Sequence, residues 1–126
     1  MKGGYVDGFV LPVPKKNLAM YKKMAAPMAK LTKKYGALDY KECMIEDANP
    51  NKMPGVYLSF AKMVKPKKGE TIWFSFIVYK SKKHRDQVFK KMMADPAMNN
   101  QKWKDMPMPF DMKRMAMAGF KVEVSS

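Results

Sequence analysis

The sequence predicts an α+β domain in which an antiparallel sheet carries two main helices on one face, and two observations carry that prediction. Apolar residues change period along the chain, from alternation to three- and four-residue steps and back, in the order strand, helix, three strands, helix, strand. One of those strands is apolar on both faces, so the sheet needs a cover on each side.

Residues 5–13, Tyr-Val-Asp-Gly-Phe-Val-Leu-Pro-Val, are rich in β-formers and read as the first strand, with an edge or bulge at Pro12 and an end at Pro14. Leu18, Tyr21, Ala25, Met28, Leu31 and Tyr35 then recur at helical steps with lysines between them, and Gly36 stops that helix. Pro27 lies inside it, where it removes one backbone hydrogen bond and collides with the carbonyl of residue 23, so a kink or a break is expected. Residues 37–46 alternate again, with Leu38, Tyr40, Glu42 and Met44 on one side and Asp39, Lys41, Cys43 and Ile45 on the other. This is the second strand.

The turn-rich stretch 47–55 reads as an exposed loop. Residues 56–64 and 71–79 read as the third and fourth strands of a hairpin, joined by a tight turn at 66–69. Ser81 is the expected N-cap of the second helix, which buries Val88, Phe89, Met92 and Met93 and ends at Asp95-Pro96. A short helical piece is expected over 97–104. Met106-Pro-Met-Pro-Phe110 excludes regular structure, and residues 115–124 read as a fifth strand. There is no repeat, linker or second core, so the whole of 1–126 reads as one domain. The order is the ferredoxin-like split βαβ plan with one additional strand.

The fourth strand defines the problem posed by this sheet. Ile72, Phe74, Phe76 and Val78 form one apolar face and are expected under the helices, yet Trp73, Ser75, Ile77 and Tyr79 make the opposite face apolar as well. The first strand repeats the pattern, with Tyr5, Phe9 and Leu11 opposed to Val6 and Val10. A second copy pressed on the face carrying Tyr5, Phe9, Leu11, Trp73, Ile77 and Tyr79 is the economical cover, so a homodimer is expected.

Composition narrows the function classes. Cys43 is the only cysteine, which excludes an internal disulfide and a cysteine-rich zinc site and fits a reducing cytoplasm. The N-terminus lacks a signal-peptide layout and no apolar run is long enough for a membrane span, so a soluble cytoplasmic protein is expected, with no membrane partner. The net charge of +14 invites a nucleic-acid reading, but only two of the 25 basic residues, Arg85 and Arg114, are arginines, and the lysines are spread along the chain. That pattern argues against specific nucleic-acid recognition and for a solvated surface. The 15 methionines read as adaptable core filler rather than a copper-binding thioether box.

Four strings carry a family resemblance: Tyr5-Val-Asp-Gly-Phe-Val-Leu-Pro-Val-Pro14, Gly36-Ala-Leu-Asp-Tyr-Lys-Glu-Cys43, the segment Phe74–Asp86, and Met108-Pro-Phe-Asp-Met-Lys-Arg-Met115 followed by Gly119-Phe-Lys-Val122. In this order they resemble the YbaA-like family of small bacterial proteins of unknown function. The resemblance implies the dimeric α/β-barrel superfamily, in which two ferredoxin-like domains press their sheets together. Relatives there include cofactor-independent monooxygenases, small isomerases and haem-degrading enzymes, as well as members with no known activity. It implies a fold and no particular reaction. The sequence departs from the family pattern at Pro27, and at Met112 and Ala118 where glycines are expected.

Asp7 lies among apolar neighbours on the first strand, where an acid is expensive unless paired or neutral, so it is a candidate general base or ligand anchor. The structural alternative is a salt bridge to Arg114 or a lysine. His84, the only histidine, falls in the first turn of the second helix, where neutral imidazole suits a proton acceptor and capping is the structural alternative. Arg85 and Asp86 in that turn read as surface partners, with an anionic ligand as the alternative partner of Arg85. Tyr5, Tyr40, Trp73, Tyr79 and Arg114 are the candidate pocket residues. Cys43 has no adjacent base in sequence, and glycine-rich phosphate loops are absent, so neither nucleophilic catalysis by cysteine nor a cofactor or metal is expected. Two functions fit. One is a homodimeric small-ligand protein, with or without cofactor-free catalysis. The other is a non-enzymatic basic module that docks an acidic protein or RNA.

Overall fold

Alternating apolar residues place Tyr5–Pro14 (β1) and Glu70–Tyr79 (β3) side by side as the centre of an antiparallel sheet, with Tyr5 opposite Tyr79 and Pro14 opposite Glu70. Asp39–Met44 (β2) pairs with the outer edge of β3 and Ala116–Lys121 (β4) with the outer edge of β1, giving the order β2-β3-β1-β4. The computed structural model describes residues 4–100 and 104–126. Among them the sheet has four strands, all antiparallel to their neighbours.

Leu18–Lys34 (α1) runs unbroken through Pro27, so no division into two helices occurs. Its end is set by Gly36, whose φ of +114° suits glycine alone, and a Cβ there would lie 3.2 Å from His84 Nε2. Lys82–Ala94 (α3) starts at Ser81, whose Oγ accepts the His84 backbone N–H at 3.0 Å.

The stretch 56–64 is not a strand. Residues 60–64 form a single helical segment, Phe60–Val64 (α2), capped by the Ser59 side chain and closed by Lys65 in the left-handed region at φ 53°. The expected hairpin is therefore absent and there is no additional strand among the described residues. Ser59 three residues before Lys62 is a local capping signal that outweighs the short alternation of Val56, Leu58 and Phe60. The helical piece expected over 97–104 is present as a 3-10 turn at Pro96–Asn99 and as helix at Lys104 and Asp105, where the Lys104 N–H donates to the Asn100 carbonyl, and residues 101–103 lie outside the described residues.

The assignment of sheet faces is also reversed from the sequence expectation. Leu11, Val13 and Trp73 pack against Tyr21 and Ala25 of α1, while Ile77 and Tyr79 pack against Val88 and Met92 of α3. The face carrying Tyr5, Asp7, Phe9, Leu11, Trp73, Ser75, Ile77 and Tyr79 is thus the helix-covered one. The bare face carries Val6, Val10, Phe74, Phe76 and Phe120, with Phe74 41% and Phe120 57% exposed. The physical reason lies in the polar groups. Asp7 needs a partner, and Arg85 of α3 supplies it, whereas the central strands β1 and β3 present only hydrocarbon in the middle of the bare face. At one end of that face the paired residues Pro12 and Ile72 are buried, where α2 packs against β1 and β3.

Candidate functional site

Between the covered sheet face and the two main helices lies a cleft of about 390 Å³. Its floor is Asp7, Phe9 and Leu11 of β1, Ser75, Ile77 and Tyr79 of β3, and Tyr40 and Glu42 of β2. Its walls are thioether and aromatic: Met24 and Met28 from α1, Phe89, Met92 and Met93 from α3, and Phe110, Met112 and Met115 from the irregular C-terminal segment, with Met98 and Met117 beside them. The methionines are therefore not simply core filler. Unbranched thioethers leave a wall that reshapes at low cost around an apolar guest. The proline-rich segment forms one wall because it is tied down: the Asn17 side chain donates to the Pro109 carbonyl at 3.0 Å, and Phe110 meets the Tyr21 ring edge-on at 5.8 Å.

Asp7 is almost fully buried and its Oδ1 accepts from Arg85 Nη1 at 2.7 Å. The sequence expectation of Arg114 or a lysine as its partner is incorrect. Arg85 stands on the first turn of α3, and its guanidinium bonds Asp86 through Nε at 2.7 Å while lying 5.1 Å over the Tyr5 ring. Tyr5 is seated by Gly119, where any Cβ would fall 2.0 Å from the tyrosine hydroxyl. Burial pushes the Asp7 carboxyl above the usual carboxylate range, against the downward pull of Arg85. Burial, then the Asp7 charge, pushes the Tyr79 hydroxyl up to about 12.

The second polar centre was missed in the sequence reading. Glu42 accepts one hydrogen bond on each oxygen, from Tyr21 Oη at 2.7 Å and from Tyr40 Oη at 2.6 Å. Burial first, and then the hydrogen bond to Glu42, raises both tyrosines well above their ordinary value, so both remain neutral donors. Tyr40 and Glu42 share a strand face two residues apart, which was a visible signal. The third member, Tyr21, comes from α1 and had no local link to them.

The structure gathers Asp7, Tyr40 and Tyr79 into the cleft and leaves the other candidates outside its lining. His84 is a capping residue: its Nδ1 accepts the Lys80 backbone N–H at 3.0 Å and its ring meets Tyr79 at 5.9 Å. Burial, with Lys80 and Lys91 nearby, lowers its pKa and keeps it neutral. Trp73 meets the Tyr21 ring at 4.7 Å in a tilted pair, and its buried indole N–H has no acceptor among the described residues. Arg114 bonds Glu70 at 2.7 Å and the Lys65 carbonyl at 3.2 Å, fastening the C-terminal segment to the end of α2. Among the described residues no three His, Cys, Asp or Glu side chains come together as a metal-binding set, and no helix is long and apolar enough to cross a membrane.

Comparison with known proteins starts from the family described as "Protein of unknown function (DUF1428)", which matches residues 4–112, from the start of β1 to the wall of the cleft at Met112. The chain belongs to this family. Relatives include the uncharacterized protein YbaA of Escherichia coli strain K12 and that of Shigella flexneri, each 43% identical over 116 residues, covering 92% of this chain and 93% of the relative. Among solved structures, the de novo designed protein Foldit4 is similar at a TM-score of 0.43 and 8% identity, covering 97% of this chain and 99% of that one. The matched family residues include both polar centres of the cleft, Asp7 with Arg85 and Glu42 with its tyrosines.

Proposed function

We propose that this protein binds a small organic ligand in the cleft between sheet and helices, as a homodimer joined through its bare sheet face in the cytoplasm. The observation that carries the reading is the cleft itself. A volume of about 390 Å³ falls in the range of small-molecule sites, and apolar walls with a few placed polar groups are their usual construction. Strand order β2-β3-β1-β4 supports the ferredoxin-like plan. Dimerisation is supported by exposed apolar residues that continue from Phe74 and Phe120 on the bare face to Tyr57, Leu58, Phe60 and Met63 around α2.

Within the cleft Asp7 is the group with proton-transfer capacity. Its raised pKa makes the neutral form accessible, and Arg85 bonds its Oδ1 rather than its Oδ2. Cofactor-free acid–base chemistry on a bound ligand would run through that oxygen. His84 takes no part, because its Nδ1 is committed to the α3 cap.

The test is a thermal-shift screen of a metabolite collection, repeated on Ser75→Leu, which fills the centre of the cleft floor. Ligands that raise the melting temperature of the wild type should lose at least about tenfold in affinity in this variant, a loss of about 1.4 kcal/mol. Ligands that bind both proteins equally would move the site elsewhere.

A further inference from the structure

The cleft holds two carboxylates, and among the described residues only one of them has a counter-charge. Asp7 is paired with Arg85. Glu42 makes no ion pair with any described residue, its two oxygens being held by the neutral hydroxyls of Tyr21 and Tyr40. Lys41 beside it on β2 is taken by Asp39 at 2.7 Å. Tyr21 in turn packs against Trp73 at 4.7 Å and Phe110 at 5.8 Å, so one of the two rings that donate to the uncompensated carboxylate belongs to an aromatic cluster.

We infer that the ligand of the cleft is an organic cation, an amine or quaternary ammonium with an apolar body, whose charged head sits at Glu42 among the rings of Tyr21 and Tyr40. This inference rests on the ligand-binding reading and adds the chemical class. Aromatic rings beside a carboxylate with no counter-charge both favour a cation, and an ammonium that carries N–H donors also fills the acceptor capacity that two tyrosine donors leave on Glu42. The apolar body lies along Ser75 and the methionines toward Asp7. On β2 and β1, either side of β3, Glu42 and Asp7 stand opposite Ser75 and Ile77. Their backbones are therefore about 12 Å apart, from two strand spacings and two residues along a strand. That length accommodates an aromatic or short alkyl amine.

The inference runs against the charge of the whole chain. A protein of +14 attracts anions without any specific site, so preference for a cation has to come from the cleft. The experiment is calorimetric titration of the full chain with phenyltrimethylammonium, with its neutral isostere tert-butylbenzene and with benzenesulfonate. The cation should bind at least about tenfold tighter than the neutral isostere, the difference a desolvated cation–π contact with a carboxylate behind it provides. Glu42→Gln should abolish that preference, bringing the cation-to-isostere affinity ratio to about one.

Equal binding of cation and isostere, tighter binding of the sulfonate, or an unchanged preference in Glu42→Gln would each overturn the inference while leaving the ligand cleft standing. Failure of all three probes to bind would remove both readings. Should Glu42→Gln fail to fold, the wild-type ratio of cation to isostere decides on its own.

Discussion

Burying a carboxylate among apolar side chains costs several kcal/mol unless a partner offsets it, and at Asp7 that partner is Arg85, itself held by Tyr5 over Gly119. Arg85→Met keeps the apolar stem and removes the charge, so it should cost roughly 3 kcal/mol in urea unfolding near neutral pH. The pH dependence has a definite sign. Because the folded pKa of Asp7 is raised, its proton binding favours the fold fully below the unfolded value of 3.8, and that contribution is lost as pH rises through the folded value. Without Arg85 the folded value climbs further, so the gap between variant and wild type should widen from about pH 4 to about pH 7. A constant gap would mean that Asp7 does not feel Arg85. Asp7 was legible in the sequence because one acid on an apolar strand is conspicuous. Its partner was not, since nothing local links Asp7 to a residue 78 positions away.

Elements are where sequence and structure agree best, and where the disagreements have clear physical causes. The strands at 5–13 and 71–79 and the helices after Pro14 and Ser81 follow from period and caps. The faces could not be assigned from the same pattern, because alternation reports two sides without saying which side the helices take when both are apolar. Residues 56–64 misled for a related reason: short alternation fits exposed irregular chain as well as a strand. Pro27 sits unbroken in α1 with its ring exposed, so Pro27→Ala should restore a backbone bond and raise stability by about 1–3 kcal/mol, read from the urea midpoint.

His84 belongs to this scale too. Its lowered pKa means that its contribution to stability is present above the unfolded value of 6.5 and is lost as pH falls from there toward the folded value. His84→Gln should flatten that slope and leave ligand binding unchanged. A loss of binding with stability intact would return His84 to the site.

At the scale of the whole molecule, two apolar sheet faces meet two different fates. One is covered by α1 and α3 and encloses the cleft; the other stays bare, with Phe74 at its centre and the exposed apolar residues of the α2 region at its margin. In the proposed homodimer a second copy covers that face, which would account for so much apolar surface on a chain of such high charge. Sedimentation velocity at micromolar concentration should give a dimer for the wild type and a monomer for Phe74→Lys, whose lysine would be buried against the partner. A monomeric wild type would remove the partner and leave the cleft untouched.

The claim on which the account depends is that the methionine-walled cleft takes up small molecules. ¹³C-methyl methionine NMR tests it most directly, because methionines line the cleft and also stand far from it. Titration with phenyltrimethylammonium or an apolar fragment mixture should shift the methyl signals of Met24, Met28, Met92 and Met115 and leave those of Met53 and Met63, exposed outside the cleft, in place. Shifts at Met53 and Met63 alone, or none at saturating probe, would contradict it.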